Sequence, residues 1–179
     1  MSIRNLIILS QLNPPAQSSR ILKRERINSY LSKSLNYPVT ILEAGTGYGK
    51  STSIVSYLRD MVIPSYWFTI SGTDRDSKLF MAKLFSAFNQ KGEAIGEEAL
   101  RVLDLPDSTA QEAQIAFLNA VEQSKQDEIL FILDDFHRVR DVEEIMRYLD
   151  WMIENIPKKL DNIPFYTCTY FSTNMNKWR

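Results

Sequence analysis

Apolar positions along the chain fall into two patterns, short runs without alternation and longer stretches repeating every three or four residues. Val39-Thr40-Ile41-Leu42 and Tyr66-Trp67-Phe68-Thr69-Ile70 are runs of the first kind and predict buried strands. Ile129-Leu130-Phe131-Ile132-Leu133 is apolar throughout, as expected of a strand covered on both faces of a parallel sheet. Pro164 to Ser172, rich in aromatic and β-branched residues, predicts a fourth strand. Between them lie helical stretches. Ile27, Leu31 and Leu35 predict a helix from Arg24 that Asn36 and Pro38 stop, and Ile54, Val55 and Leu58 predict a second. Leu79 to Phe88 presents Phe80, Leu84, Phe85 and Phe88 on one face. Thr109-x-x-Glu112 is a capping box for a helix through Ile115, Leu118 and Val121. A last helix from Asp141 carries Val142, Ile145, Leu149, Met152 and Ile156 until Pro157 closes it. Residues 90–106, with Gly92, Gly96 and Pro106, predict a looser connection holding at most a short helix around Glu97–Leu103.

Strands alternating with helices imply an α/β fold, with a parallel sheet, right-handed crossovers and helices on both faces. Ligands of such sheets bind at the carboxyl ends of the strands. Ahead of the first strand, residues 3–9 read as a short strand or extended arm, and Asn13-Pro14-Pro15 with Gln17-Ser18-Ser19 as an irregular connection. The chain therefore divides into an N-terminal arm, 1–20, and a single core domain, 21–179.

The stretch that specifies chemistry is Ala44-Gly45-Thr46-Gly47-Tyr48-Gly49-Lys50-Ser51-Thr52, between the first strand and the second helix. It matches the phosphate-loop pattern G-x-x-x-x-G-K-[ST] except for Ala44 at the first position. Glycines at alternate positions allow left-handed backbone and a close ligand approach. Backbone N–H groups from Gly47 to Thr52, at the positive end of a helix, form a concavity for polyanions. On this reading Gly45, Thr46, Gly47, Tyr48, Gly49, Lys50, Ser51 and Thr52 hold the phosphates of ATP or ADP. Lys50 reaches the β- and γ-phosphates, and Ser51 ligates Mg2+.

Asp134-Asp135 ends the third strand, at the same edge of the sheet as the glycine-rich loop. Asp134 is placed to complete the Mg2+ shell opposite Ser51, and Asp135 to orient or deprotonate an attacking water. A helix cap or turn aspartate is the alternative. His137, the only histidine, has no spaced partners with which to build a metal site. It is either structural or a contact to the nucleotide, and Lys50 and Asp135 remain the catalytic candidates.

Composition narrows the partners. The 179 residues carry 21 Lys+Arg and 22 Asp+Glu, a net charge of -1 that offers no basic field for collecting nucleic acid. DNA contact would need residues outside this chain. The single cysteine, Cys168, lies in an apolar run and reads as a buried thiol in a reducing, cytoplasmic compartment. Leu6-Ile7-Ile8-Leu9 after Arg4 is too short for a signal-peptide core, and no run reaches the length of a membrane span.

Several blocks together resemble the STAND signal-transduction ATPases, specifically the large ATP-dependent LuxR-type transcription activators of the maltose-regulator kind. Ser10-Gln11-Leu12-Asn13-Pro14-Pro15 resembles that family's Ser-Lys-Leu-x-x-Pro segment, with Gln11 in place of lysine. Lys23-Arg24-Glu25-Arg26-Ile27 is similar to its Arg-Glu-Arg-Leu helix start, which would bring Arg24 to the nucleotide. Tyr48-Gly49-Lys50, Tyr66-Trp67-Phe68 and Asp134-Asp135-Phe136-His137 fall where the family has its phosphate loop, Trp-Tyr and Asp-Asp-Tyr-His. The resemblance implies a three-layer α/β/α P-loop NTPase of the ASCE type with sheet order 5-1-4-3-2. It also implies an ATP/ADP switch that hydrolyses slowly and self-associates when active. Ser172-Thr173-Asn174 departs from the arginine usual at the end of strand four. The chain would then be an ATPase core truncated after that strand, its first strand an edge that residues 3–9 cover or a second copy meets. Two further functions stay open: a nucleotide-gated interaction module without turnover, and a small phosphotransferase.

Overall fold

The computed structural model describes residues 2–16, 24–37, 39–45, 47–61, 63–92, 94–126, 128–156 and 165–169. Within them, β1 (Val39–Glu43), β2 (Ser65–Thr69), β3 (Leu130–Asp134) and β4 (Phe165–Thr169) form a parallel sheet in the order β1-β4-β3-β2. The helices are α1 (Glu25–Ser34), α2 (Lys50–Leu58), α3 (Ser77–Ala87), α4 (Glu97–Leu103), α5 (Ala110–Gln123) and α6 (Glu143–Glu154). None of them is long and apolar enough to cross a membrane.

The pleat sorts side chains into two cores. Tyr66, Phe68, Phe131 and Leu133 face a large core with residues of α3, α4, α5 and α6, while Trp67, Leu130 and Ile132 face a smaller one with residues of α1 and α2. Helices on both faces of a parallel sheet make the expected three-layer α/β/α P-loop fold. All of β3 is buried, which explains its unbroken apolar run. Phe88 anchors the larger core, with its ring 4.6 Å from Tyr66, 4.8 Å from Phe117 and 4.9 Å from Phe131.

Helix ends follow their caps. Thr109 and Glu112 form the predicted reciprocal capping box of α5, and Asp76 caps α3 through the Leu79 amide. The face of α5 buries Leu118 and Val121 as predicted, but Ile115 is exposed, and Ala113, Gln114 and Phe117 are buried with them. Residues 90–106 are also tighter than expected. Ile95, Ala99, Leu100 and Leu103 are buried, and a Cβ on Gly96 would lie 1.9 Å from the Phe85 carbonyl oxygen. Glycine is there required by space, since α3 and α4 touch backbone to backbone.

The N-terminal segment departs most from expectation. It forms two 3-10 turns, Ile3–Leu6 and Leu9–Leu12, rather than a strand or extended arm. Asp104 explains the first turn, because its carboxylate accepts hydrogen bonds from Ser2 Oγ and, at 2.9 Å, from the Ile3 amide. The second turn packs against β2 with Leu12 buried in the larger core. The segment therefore lies beside β2, at the opposite end of the sheet from β1, and does not cover β1 as one alternative required.

A buried charge network holds that segment in place. Lys83 on α3 and Asp74 in the turn after β2 form an ion pair with both side chains almost fully buried. The Lys83 ammonium also donates to Gln11 Oε1 at 2.7 Å, and Asp74 Oδ2 accepts from the Ser71 amide at 2.6 Å and the Ser71 hydroxyl at 2.8 Å. An amide oxygen at position 11 suits a neighbouring ammonium, where a lysine would bring a second cation beside it. Lys83→Met should lower stability by about 3–5 kcal/mol in urea unfolding, since it strands the Asp74 carboxylate. Lys83→Met/Asp74→Asn should cost less than the single replacement, because no charge is left buried while Ser71 keeps an acceptor.

Candidate functional site

The carboxyl ends of the strands gather the predicted site. From Glu43 at the end of β1 the chain turns through 44–49 into α2, with Gly47 at φ 79° and Gly49 at φ 76°. Both are left-handed, a conformation that costs other L-residues about 1–2 kcal/mol. Gly49 is the N-cap of α2. At Gly45 the demand is space, since a Cβ there would come 3.1 Å from the Tyr48 ring, itself 70% exposed. Thr46 lies outside the described residues.

Lys50 is half-buried and donates to the Ala44 carbonyl at 2.7 Å and the Gly45 carbonyl at 3.1 Å. The side chain thus runs back across the loop to the two carbonyls at its start. Arg24, immediately before α1, donates to the Tyr48 carbonyl at 3.1 Å. That contact ties the Arg24-Glu25-Arg26 segment to the loop. Thr52 lies in the first turn of α2.

The other half of the site stands on β3. Ser51 Oγ donates to Asp134 Oδ1 at 3.0 Å, although β4 separates β1 from β3 in the sheet. Asp134 is 7% exposed, and its Oδ1 also accepts from the Asp135 amide at 3.1 Å. A hydroxyl and a buried carboxylate side by side are hard oxygen donors, the kind Mg2+ takes from protein when phosphate oxygens complete its shell. Among the described residues no group of three or more His, Cys, Asp or Glu could hold a metal ion. Ser51 and Asp134 are therefore the pair that fits Mg2+, jointly with a nucleotide.

Asp135 has φ 60°, the one left-handed residue among the described positions that is not glycine. Aspartate tolerates this better than most, yet the strain is real and sits at the sheet's ligand-binding edge. It starts a 3-10 turn, Phe136–Arg138, whose side chains fold back on it. Arg138 Nε is 3.5 Å from Asp135 Oδ2, and His137 Nδ1 is 3.9 Å from Asp135 Oδ1. Sequence pattern had no signal for this left-handed turn or for the role of Arg138. Ser172, Thr173 and Asn174 lie outside the described residues, as does the side chain of Cys168.

Burial of His137 favours its neutral form, the Asp135 carboxylate works against this, and Arg138, Arg140 and Lys50 add to it, so its pKa lies below the usual 6.5. His137 is thereby within electrostatic reach of both Lys50 and Asp135. Because the unfolded chain binds this proton more tightly, His137 adds stability as pH rises toward 6.5 and loses it as pH falls below. His137→Gln should therefore narrow the difference in urea midpoint between about pH 5.5 and pH 7.5 relative to the parent protein. An unchanged difference would place the imidazole in water.

No family model matches the sequence. Among curated proteins, the chain is 28% identical over 154 residues to the HTH-type transcriptional regulator MalT of Yersinia pestis, covering 80% of this chain and 16% of that protein. It is 24% identical over 156 residues to MalT of Vibrio cholerae, covering 86% of this chain and 17% of that protein. The chain thus spans about one sixth of the length of these relatives. Among solved structures, a Walker-type ATPase of Pyrococcus abyssi superimposes with a TM-score of 0.60 at 17% identity, over 90% of this chain and 49% of that one. The chain is therefore similar to a segment of the MalT transcriptional regulators and has the fold of a Walker-type ATPase, as the resemblance read from its sequence implied.

Proposed function

We propose that the chain is the ATP-binding, slowly hydrolysing switch module of a LuxR-type transcriptional regulator. The observation that carries this reading is the meeting of Ser51 and Asp134 at 3.0 Å beside a loop wound by Gly47 and Gly49. The loop amides and Lys50 bind the phosphates, Tyr48 and Arg24 border the same loop, and Ser51 and Asp134 hold the Mg2+ that accompanies the nucleotide. When bound, that ion supplies charge neutralisation on the β- and γ-phosphates. Asp135, fixed by its left-handed backbone, orients the water, and His137 stays neutral beside it. DNA contact belongs to regions outside this chain, and the cytoplasm is its compartment. The edge strand β1 is where a second copy would add by strand pairing.

One observation favours a second reading, a nucleotide-gated interaction module without turnover: the Asp135 carboxylate has Arg138 and His137 beside it. Identifying the nucleotide that co-purifies and following phosphate release decides between the two. ATP consumption above background supports the first, and bound nucleotide without release supports the second.

Lys50→Ala should weaken Mg-ATP and Mg-ADP binding by about 100-fold, the loss of one or two charge-assisted hydrogen bonds, while far-UV circular dichroism stays native. Tight binding by the folded variant would remove the loop from the account. Asp135→Asn keeps a side chain that accepts the left-handed backbone, so it should retain Mg-ATP affinity and lower single-turnover phosphate release by about 100- to 10,000-fold. Equal release in variant and parent would assign the water to another group.

A further inference from the structure

The turn that carries Asp135 and His137 is short, strained and largely outside the sheet, yet it is held from one side by a residue no motif singled out. Arg75 follows Asp74 in the loop after β2. Its Nη1 donates to the Arg138 carbonyl at 2.8 Å and to Asp141 Oδ1 at 2.8 Å, and its Nη2 donates to Asp141 Oδ2 at 2.9 Å. One guanidinium thus grips both the last carbonyl of the 3-10 turn and the carboxylate that precedes α6. The fork geometry suits this, because a planar guanidinium can bind a carboxylate with two parallel bonds and still reach a third acceptor.

We propose that Arg75 is a positioning residue for the Asp135–Arg138 turn, acting on hydrolysis through that turn without touching the nucleotide. The assignment rests on the nucleotide-site reading above and adds to it the element that fixes the turn's angle. Three observations carry it. Arg75 is the donor to the Arg138 carbonyl, while the side chain of that same residue lies 3.5 Å from Asp135. The base from which Arg75 reaches is rigid, since the preceding Asp74 is buried and bonded to Lys83 and Ser71. A second strap joins the next elements, from Ser77 Oγ at the start of α3 to Glu144 Oε2 in the first turn of α6 at 2.6 Å, so the chain that Arg75 spans is also tied on its far side. Lys50 bonds to the Ala44 and Gly45 carbonyls and Ser51 to Asp134, so the groups assigned to phosphate and metal keep these partners when Arg75 is replaced.

The test uses Arg75→Ala, Arg75→Lys and Asp141→Ala in the full chain, with two independent readouts. The first is proton NMR of the imidazole of His137, the only histidine, whose titration senses Asp135, Arg138, Arg140 and Lys50 and needs no nucleotide. In Arg75→Ala the imidazole should titrate closer to its value in unfolded protein, because a loosened turn exposes it. The second is single-turnover phosphate release alongside affinity for a fluorescent Mg-ADP analogue. Release should fall about 10- to 100-fold with affinity unchanged, the cost of a misplaced reacting group. Arg75→Lys should recover part of the loss, since it keeps the charge and one donor without the fork. Asp141→Ala should give a smaller effect, because Arg75 still holds the Arg138 carbonyl.

An unchanged His137 titration in Arg75→Ala overturns the proposal, whatever the release rate. A shifted titration with unchanged release also overturns it, leaving the contact as local structure only. If the parent protein binds no nucleotide, the nucleotide-site reading itself fails and the positioning role falls with it, and the titration then reports whether the clamp exists as a structural contact.

Discussion

A carboxylate can sit nearly buried at the tip of a strand covered on both faces only where nearby groups answer its charge, and at Asp134 those groups include the Ser51 hydroxyl and the Asp135 amide. Much of the fold follows from meeting that condition. Ser51 belongs to α2, which begins where β1 ends, whereas Asp134 belongs to β3, two positions away in the sheet. Bringing them to 3.0 Å requires the parallel order β1-β4-β3-β2, the glycine-lined reversal into α2, and a core on each face that fixes where the strands end. A buried carboxylate beside a hydroxyl is a pair of hard oxygen donors, which suits a divalent cation when the site is working.

The parts of this arrangement that depend on local pattern were legible in the sequence. The unbroken run of β3, the capping box at Thr109 and the glycines before Lys50 each have a single economical structural solution, and the structure adopts it. Features set by distant contacts were not. Residues 3–9 look extended because their apolar positions are adjacent, yet Asp104, far along the chain, draws Ser2 and Ile3 into a 3-10 turn. Ile115 fits the helical period of α5 but falls on the outer side because Gln114 turns inward to donate to the Tyr148 carbonyl. The Lys83–Asp74 pair is invisible to hydropathy, which counts both residues as surface.

The site itself was legible in its chemistry and less so in its mechanics. Motif spacing put Lys50, Ser51 and Asp134 at one edge of the sheet and the resemblance added Arg24; the structure brings Ser51 to Asp134 and Arg24 to the Tyr48 carbonyl. The left-handed backbone of Asp135, and the hold of Arg75 on the following turn, arise from tertiary geometry that no spacing rule encodes. Both loops at the carboxyl edge are therefore restrained by side-chain contacts to neighbouring elements: the phosphate loop by Arg24 and Lys50, and the acidic turn by Arg75. Restrained loops of this kind suit the proposed function, in which the state of the phosphates would decide what the surrounding structure does.

The proposed function requires that the glycine-rich loop and the tip of β3 form one Mg-nucleotide site. Its most direct test replaces Mg2+ with paramagnetic Mn2+ and follows backbone amide signals as ADP is added. Line broadening should be strongest at residues 47–52 and 133–137, fall off with distance from them, and depend on the nucleotide. Broadening centred elsewhere, or the same broadening without ADP, would contradict it.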